Sequence, residues 1–400
     1  MGNKIVIVGG GAAGFFGAIN CKINNPESEV VIIEKSNNLL SKVKISGGGR
    51  CNVTHACFEP KELIKYYPRG KKELLGPFHN FMTGDVFEWF SERSIDLKIE
   101  DDNRVFPVSD NSQTIIDCFL KEAEKLGINI NTQEGLVDLK FVKNCWQVIT
   151  TSKQYKADKI LIASGSSKIV WNLLKKIGHT IVNPVPSLFT FNIQDHRIKD
   201  IPGVVVKNCM VSIPKHNLSS SGPVLITHWG LSAPAILKLS AWGAKELAED
   251  QYQFKIKINW TNSFTDIDEN LKEIKEKNPK QKVINTNMFD IPKRLWSKLC
   301  IKSGISQQNW GDLSNHNIAL LEEQLTQCEF TVNGKSTFKD EFVTAGGVEL
   351  SEINFKRFES RLFSNLFFAG EVLNIDAVTG GFNFQAAWTG AWIAAKAMSE

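Results

Sequence analysis

Gly9, Gly11 and Gly14 form a Gly-x-Gly-x-x-Gly turn between an apolar run, Lys4–Gly9, and a helical stretch. A second apolar run, Val30–Ile33, ends at Glu34, twenty residues past the last glycine. That spacing suits a dinucleotide: the first glycine allows a tight turn, the second lets backbone N–H groups approach a pyrophosphate, and the third lets helix and strand pack closely. Glu34 stands where a carboxylate can accept from ribose hydroxyls. A purely structural glycine turn would leave that acid unexplained.

A second set of residues at the far end of the chain repeats this chemistry. Leu366–Gly370 is an apolar run ending in Gly370-Glu371, and Thr379-Gly380-Gly381 opens a last helix through Phe382, Asn383, Phe384 and Gln385. A cofactor touching both ends must be long, which favours FAD over NAD. Only one Gly-x-Gly-x-x-Gly is present, so any nicotinamide partner, NADH or NADPH, is expected to bind transiently.

The elements that must position these residues follow from periodicity. Gly84–Arg93 and Ser112–Leu126 read as helices, the second with Ser112 as its cap. Ile128–Ile130, Leu136–Val142, Trp146–Thr150 and Lys159–Ala163 read as a strand, a small meander and a final core strand ending in Ala163-Ser164-Gly165. From Phe189 the βα rhythm is lost: strand-like runs come first, then a Lys/Glu/Asn-rich helical part from Asp266 to about Cys328. The expected organisation is an α/β FAD-binding domain from residues 1–187 and 334–400. An inserted domain, 188–333, is mainly β over 188–262 and mainly helical over 263–333.

Composition excludes little. With 400 residues, 42% hydrophobic, the chain can bury a large core, and a net charge of +4 selects no partner. Eight cysteines lie scattered, without a C-x-x-C pair or a Cys/His cluster at metal-ligand spacing; they read as free thiols of a cytoplasmic protein, and no metal site is expected. Asn383, Gln385 and Lys396 interrupt the apolar C-terminal stretch, so it reads as a buried helix with no membrane role.

The stretches Ser46-Gly47-Gly48-Gly49-Arg50-Cys51-Asn52, Arg104-Val105-Phe106-Pro107, Thr227–Pro234, Val343–Val348 and Gly380–Gln385 together carry a family resemblance. In that order they resemble the BaiN-like NAD(P)/FAD-dependent oxidoreductases. The resemblance implies a glutathione-reductase-type, Rossmann-like FAD-binding domain built from both chain ends, with an inserted β-barrel-like plus helical domain. It also implies a two-electron redox reaction. Two departures stand out: Ser166–Trp171 replaces the family's glycine- and serine-rich loop, and Ala233 stands where the family has glycine and tightens the turn.

Cofactor contacts are expected from Gly9, Gly11, Ala13 and Gly14, from Glu34 and Lys35, and from Gly49, Arg50, Cys51 and Asn52. Leu136, Ala163, Gly165, Gly370, Glu371, Gly381, Asn383, Phe384 and Gln385 complete the set. Arg50 faces the flavin or its phosphates, or forms a loop salt bridge; Asn52 and Asn383 donate to flavin carbonyls, or form turns. Three residues are candidates for chemistry. His228 follows a strand and precedes a possible helix start; as a histidine, a residue type suited to acid–base work, it is the candidate for proton transfer, unless it is structural. Cys51 reads first as a buried inert thiol; the alternative is a thiol of lowered pKa beside Arg50 that protonates a carbon after hydride addition. Arg104 recognises an anionic or carbonyl substrate, or braces its loop.

Lys61–Lys72 interleaves Tyr66 and Tyr67 with cations, a composition that fits RNA contact or an ordinary solvated surface. The leading functional expectation is reduction of an activated C=C bond in a small molecule or in a uridine of ribosomal RNA. The competing ones are a peroxide-releasing oxidase of a small amine or ketone, and a non-catalytic FAD-containing RNA-associated protein.

Overall fold

The computed structural model describes residues 2–261, 267–286, 288–336 and 343–400. Two compact units emerge, Met1–Val185 with Lys339–Glu400, and Pro186–Phe338. The expected division of the insert at 262/263 lies outside the described residues.

The first unit is organised by a seven-stranded sheet. Its order is Ile353–Asn354, Glu359–Ser360, Leu366–Phe368, Lys159–Ile162, Lys4–Val8, Glu29–Ile33, Asn129–Asn131. The last five strands are parallel, with Val8 opposite both Ile162 and Ile33, and Ile162 opposite Phe368. Both faces of such a sheet are covered, so its strands read as unbroken apolar runs, as Ile5–Val8 and Val30–Ile33 do. The consequence for function is positional: every strand of the parallel set ends at one carboxyl edge, where nucleotides bind in doubly wound folds.

Head and tail pack directly on one another. Helix Ala12–Asn24 lies against helix Phe382–Ser399; Phe16 sits 5.2 Å from Trp388 and 4.7 Å from Trp89. A Cβ at Gly17 would meet Leu161 at 2.6 Å and Ala391 at 3.7 Å, so glycine lets this helix settle between sheet and tail. Helix Ser112–Lys125 forms as its pattern predicts, but its cap is Asn111, whose side chain accepts from Gln113 N–H at 2.9 Å. Ser112 instead donates to the Lys44 carbonyl.

The inserted unit rolls a seven-stranded sheet toward closure. Its two edge strands, Cys328–Asn333 and Lys335–Ser336, are consecutive in the chain. They join through Gly334, whose N–H donates to Tyr252 and whose carbonyl accepts from Asn192. Helices Ile267–Lys277, Lys293–Lys302 and Asn315–Thr326 pack Trp296, Trp310 and Leu321 into one apolar core with the sheet residues of the same unit.

Candidate functional site: a dinucleotide cradle at the carboxyl edge

The turn after the first strand is built so that only glycine serves. Gly9 has φ +116, and a Cβ there would lie 2.4 Å from the Ala163 carbonyl; one at Gly14 would lie 1.9 Å from the Gly9 carbonyl. Gly11 is different: its φ of −97 suits any residue and nothing lies within 4 Å of its would-be Cβ. That opening adjoins the N-terminus of a thirteen-residue helix with no side-chain cap, a place that favours an anion.

Strand Leu366–Phe368, two places along the sheet from the first, ends close on the same place. Gly370, at φ +76, fits between the Ala13 and Ala387 side chains, at 3.3 and 3.8 Å from its would-be Cβ. Ala13 and Ala387 belong to the first and last helices, so both chain ends flank one loop. Glu34 accepts from Gly10 N–H at 2.9 Å, and from Ser36 N–H and Oγ at 2.9 and 3.0 Å. A carboxylate offers about four acceptor sites, so one stays available for a ribose hydroxyl. Lys35 beside it is exposed; Leu136 is buried at the start of the meander. Glu371 is half-buried and forms an ion pair with Lys42.

The start of the last helix is locked by residues far away in sequence. A Cβ at Gly381, φ +92, would strike the Thr54 carbonyl at 2.4 Å. With its amide turned so that each atom meets a partner, Asn52 accepts from Gly381 N–H at 2.9 Å and donates to the Thr54 carbonyl at 2.9 Å. Gln385 is fully buried between Thr54 and Thr389, and Asn383 spans the N–H and carbonyl of Ala377 at 3.0 and 3.2 Å. Phe384 stacks on Trp388 with centroids 5.5 Å apart. The side chains of Asn383 and Gln385, expected to address a flavin, are thus spent on shaping the helix start. The group this helix offers a ligand is its first-turn backbone N–H set.

At Cys51 the alternative of a lowered pKa falls away. It sits at φ +64, fully buried, and burial pushes its thiol up to about 12, against a smaller lowering by its Ser46 hydrogen bond. Arg50 does not lower it, because its guanidinium turns to Glu100 at 2.5 Å and Asp110 at 3.3 Å and lies 3.9 Å over the Phe106 ring. Arg104 pairs with Asp102 at 2.7 Å and with the same Glu100 at 3.4 Å. Both arginines therefore brace the loop against strand Arg104–Pro107. Gly49, at φ +86, has open space where its Cβ would project.

The model for the HI0933-like protein Rossmann domain matches residues 3–397. The chain belongs to this HI0933-like family. Its members similar to this chain include the 3-dehydro-bile acid delta(4,6)-reductase of Clostridium scindens, 25% identical, with 100% of this chain and 99% of that protein covered. The ribosomal RNA dihydrouridine synthase of Haemophilus influenzae is also 25% identical, with 99% and 98% covered. Among solved structures, a variant of the Escherichia coli quinol fumarate reductase FrdA aligns at TM-score 0.49 and 11% identity, covering 100% of this chain and 70% of that one. The HI0933-like fold is a Rossmann-like FAD-binding fold, and the protein is an FAD-dependent oxidoreductase.

The cradle fits such a dinucleotide. Would-be Cβ positions at Gly11, Gly48, Gly49 and Gly165 all project into open space, as loops lying against a ligand require. Between Ala163 and Gly165, the Ser164 hydroxyl is buried without a hydrogen-bond partner among the described residues, a polar atom in want of one. No described helix is long and apolar enough to cross a membrane.

Two further candidates fall elsewhere in this HI0933-like chain. His228 belongs to the inserted unit, exposed on the turn between strands Leu218–Ile226 and Gly230–Ser232, next to Trp229. A short strand follows it, and the next helix begins at Pro234. Ala233 holds φ +83 and ψ 175, a region that a Cβ disfavours by about 1–3 kcal/mol. Ala233→Gly is expected to raise unfolding free energy by about 1 kcal/mol after the entropy cost of glycine. A chemical denaturation midpoint measures it, and an unchanged or lowered midpoint would refute the strain.

The expected RNA-contact stretch is corrected more sharply. Tyr66 stacks on Phe382 at 4.2 Å and 13°, Tyr67 is fully buried with its hydroxyl donating to the Phe382 carbonyl at 2.6 Å, and Arg69 pairs with buried Asp376. Lys65 pairs with Glu62. The rings are packing elements, unavailable to stack on bases. His55, which the sequence did not single out, joins them: its ring lies 4.4 Å from that of Phe382 and its Nδ1 3.1 Å from the Gly380 carbonyl.

Proposed function

We propose that this protein reduces a carbon–carbon double bond conjugated to a carbonyl, with NADH or NADPH recharging the flavin. The observation that carries the reading is the meeting of the first helix's start, at Ala13, with the second turn of the last helix, at Ala387, across Gly370 at the carboxyl edge. Bound FAD would supply hydride chemistry; Gly11, Glu34, Ser164 and the first turn of the last helix would hold and orient it. The names of both full-length relatives denote saturation of such a bond, in a bile acid or in uridine, which supports the reading. Uridine in ribosomal RNA is the substrate to test first. The oxidase alternative has no observation in its favour.

A thiol held at about 12 by burial stays protonated at neutral pH, so Cys51 is read as the buried inert thiol, packed against Ser46. We assign proton transfer to His228, the exposed imidazole on the turn before Gly230. His228→Gln is expected to lower kcat about 100-fold with flavin content unchanged. Full turnover in that variant would remove the assignment. The wider reading is checked by the dihydrouridine content of ribosomal RNA from cells with and without the gene; identical content would move the substrate to a small enone.

A further inference from the structure

Helix Lys293–Lys302 in the inserted unit has two faces of different character. Leu295, Trp296, Leu299 and Cys300 are buried. The other face carries Lys293, Arg294, Lys298 and Lys302, with Ile301 at 52% exposure among them. The four-residue recurrence puts Arg294, Lys298 and Lys302 on one stripe, about 12 Å long at 1.5 Å rise per residue, and Lys293 flanks it on the same exposed face.

Three features separate this stripe from an ordinary solvated face. First, the preceding helix pairs two of its three cations, Lys272 with Asp268 and Lys277 with Glu273, whereas none of these four has an ion pair among the described residues. Arg294 donates only to the Asp200 carbonyl, at 2.8 Å. Second, Lys293 and Arg294 occupy the helix's first turn, where no acid is present and the macrodipole disfavours cations. Third, the helix is held from its opposite side, so the stripe is fixed in aim: Trp296 Nε1 on the buried face donates to the Val283 carbonyl at 2.9 Å.

A stripe of uncompensated cations spaced along a rigid helix complements a run of phosphates and carries no means of reading bases. We propose that the exposed face of helix Lys293–Lys302 docks the phosphate backbone of RNA. This rests on the ribosomal RNA reading above and gives it a contact surface away from the displaced candidate at Lys61–Lys72.

The test uses the intact flavoprotein and a variant combining Lys293→Ala, Lys298→Ala and Lys302→Ala, which leaves Arg294 and its carbonyl contact in place. Binding to a short hairpin of ribosomal RNA is titrated across potassium chloride concentrations. The variant is expected to bind at least tenfold more weakly at low salt, with a log–log salt slope smaller by about 2, and to keep its flavin and its rate of NADH oxidation. Equal affinity and slope would overturn the proposal, as would a wild-type protein that does not bind the hairpin. Loss of binding to phosphatidylglycerol vesicles with RNA binding intact would overturn it in favour of a membrane surface. The two readings fail separately: salt-sensitive docking through these lysines with unchanged cellular dihydrouridine upholds the surface and removes the substrate.

Discussion

Gly11→Asp is expected to fold as well as the natural protein and to purify colourless. At this position fold and cofactor binding separate, because φ is −97 and no atom lies within 4 Å of the new Cβ. Gly11 is also the N-cap of the first helix, with no side-chain cap of its own. Aspartate is among the preferred N-cap residues, so the helix gains a few tenths of a kcal/mol or stays level. The same carboxylate stands where a diphosphate would lie against the helix N-terminus. Two like charges about 4 Å apart repel by about 4 kcal/mol at an effective dielectric of 20, and the cap consumes an N–H the ligand would use.

The expected result is at least a 100-fold loss of FAD affinity, about 2.7 kcal/mol. Visible absorbance of the purified protein and FAD released on denaturation report it, with a thermal melt as the control for folding. Gly14→Val is the contrasting variant, since its Cβ meets the Gly9 carbonyl at 1.9 Å and must disturb the fold itself. Gly11→Asp protein that carries stoichiometric flavin would show that the cofactor does not lie against this turn.

What was legible in the sequence follows from where the constraint is local. Gly9, Gly14, Gly370 and Gly381 are glycines because a Cβ would strike backbone or crowd a neighbour, or because φ is positive, and such demands leave a mark at the residue itself. The parallel strands were legible for the same reason, since burial on both faces requires uninterrupted apolar runs. The helix cap was missed by one position because Asn111 and Ser112 have equal propensity for it. Only the Ser112 hydroxyl's contact with Lys44, 68 residues away, decides between them.

The roles at the last helix were illegible because they depend on distant partners. Tyr67 meets Phe382 across 315 positions and Thr54 meets Gln385 across 331. Nothing in the local sequence distinguishes a tyrosine that stacks on a base from one that stacks on Phe382. Cys51 illustrates the same limit in electrostatics. Adjacency to Arg50 suggested a lowered pKa, yet the guanidinium is drawn away by Glu100, and burial alone decides the direction.

Arg69→Met is expected to cost about 3–5 kcal/mol of stability, far more than loss of a surface cation. Asp376 is fully buried, and Arg69 grips both its oxygens through Nε and Nη2. The pair also closes a β-bridge, and a Cβ at Gly70 would meet Ile375 at 2.6 Å. Val378 N–H donates to the Tyr66 carbonyl at 3.0 Å, so segment 66–70 is laced along 375–378. Removing the guanidinium leaves the carboxylate desolvated, and that uncompensated charge sets the cost. A double variant, Arg69→Met with Asp376→Leu, is therefore expected to be more stable than Arg69→Met alone, with a coupling above about 1 kcal/mol in a double-mutant cycle. Lys72→Ala, an exposed neighbour, is the reference, within about 0.5 kcal/mol of the natural protein. Equal unfolding midpoints for Arg69→Met and Lys72→Ala would return Arg69 to the surface.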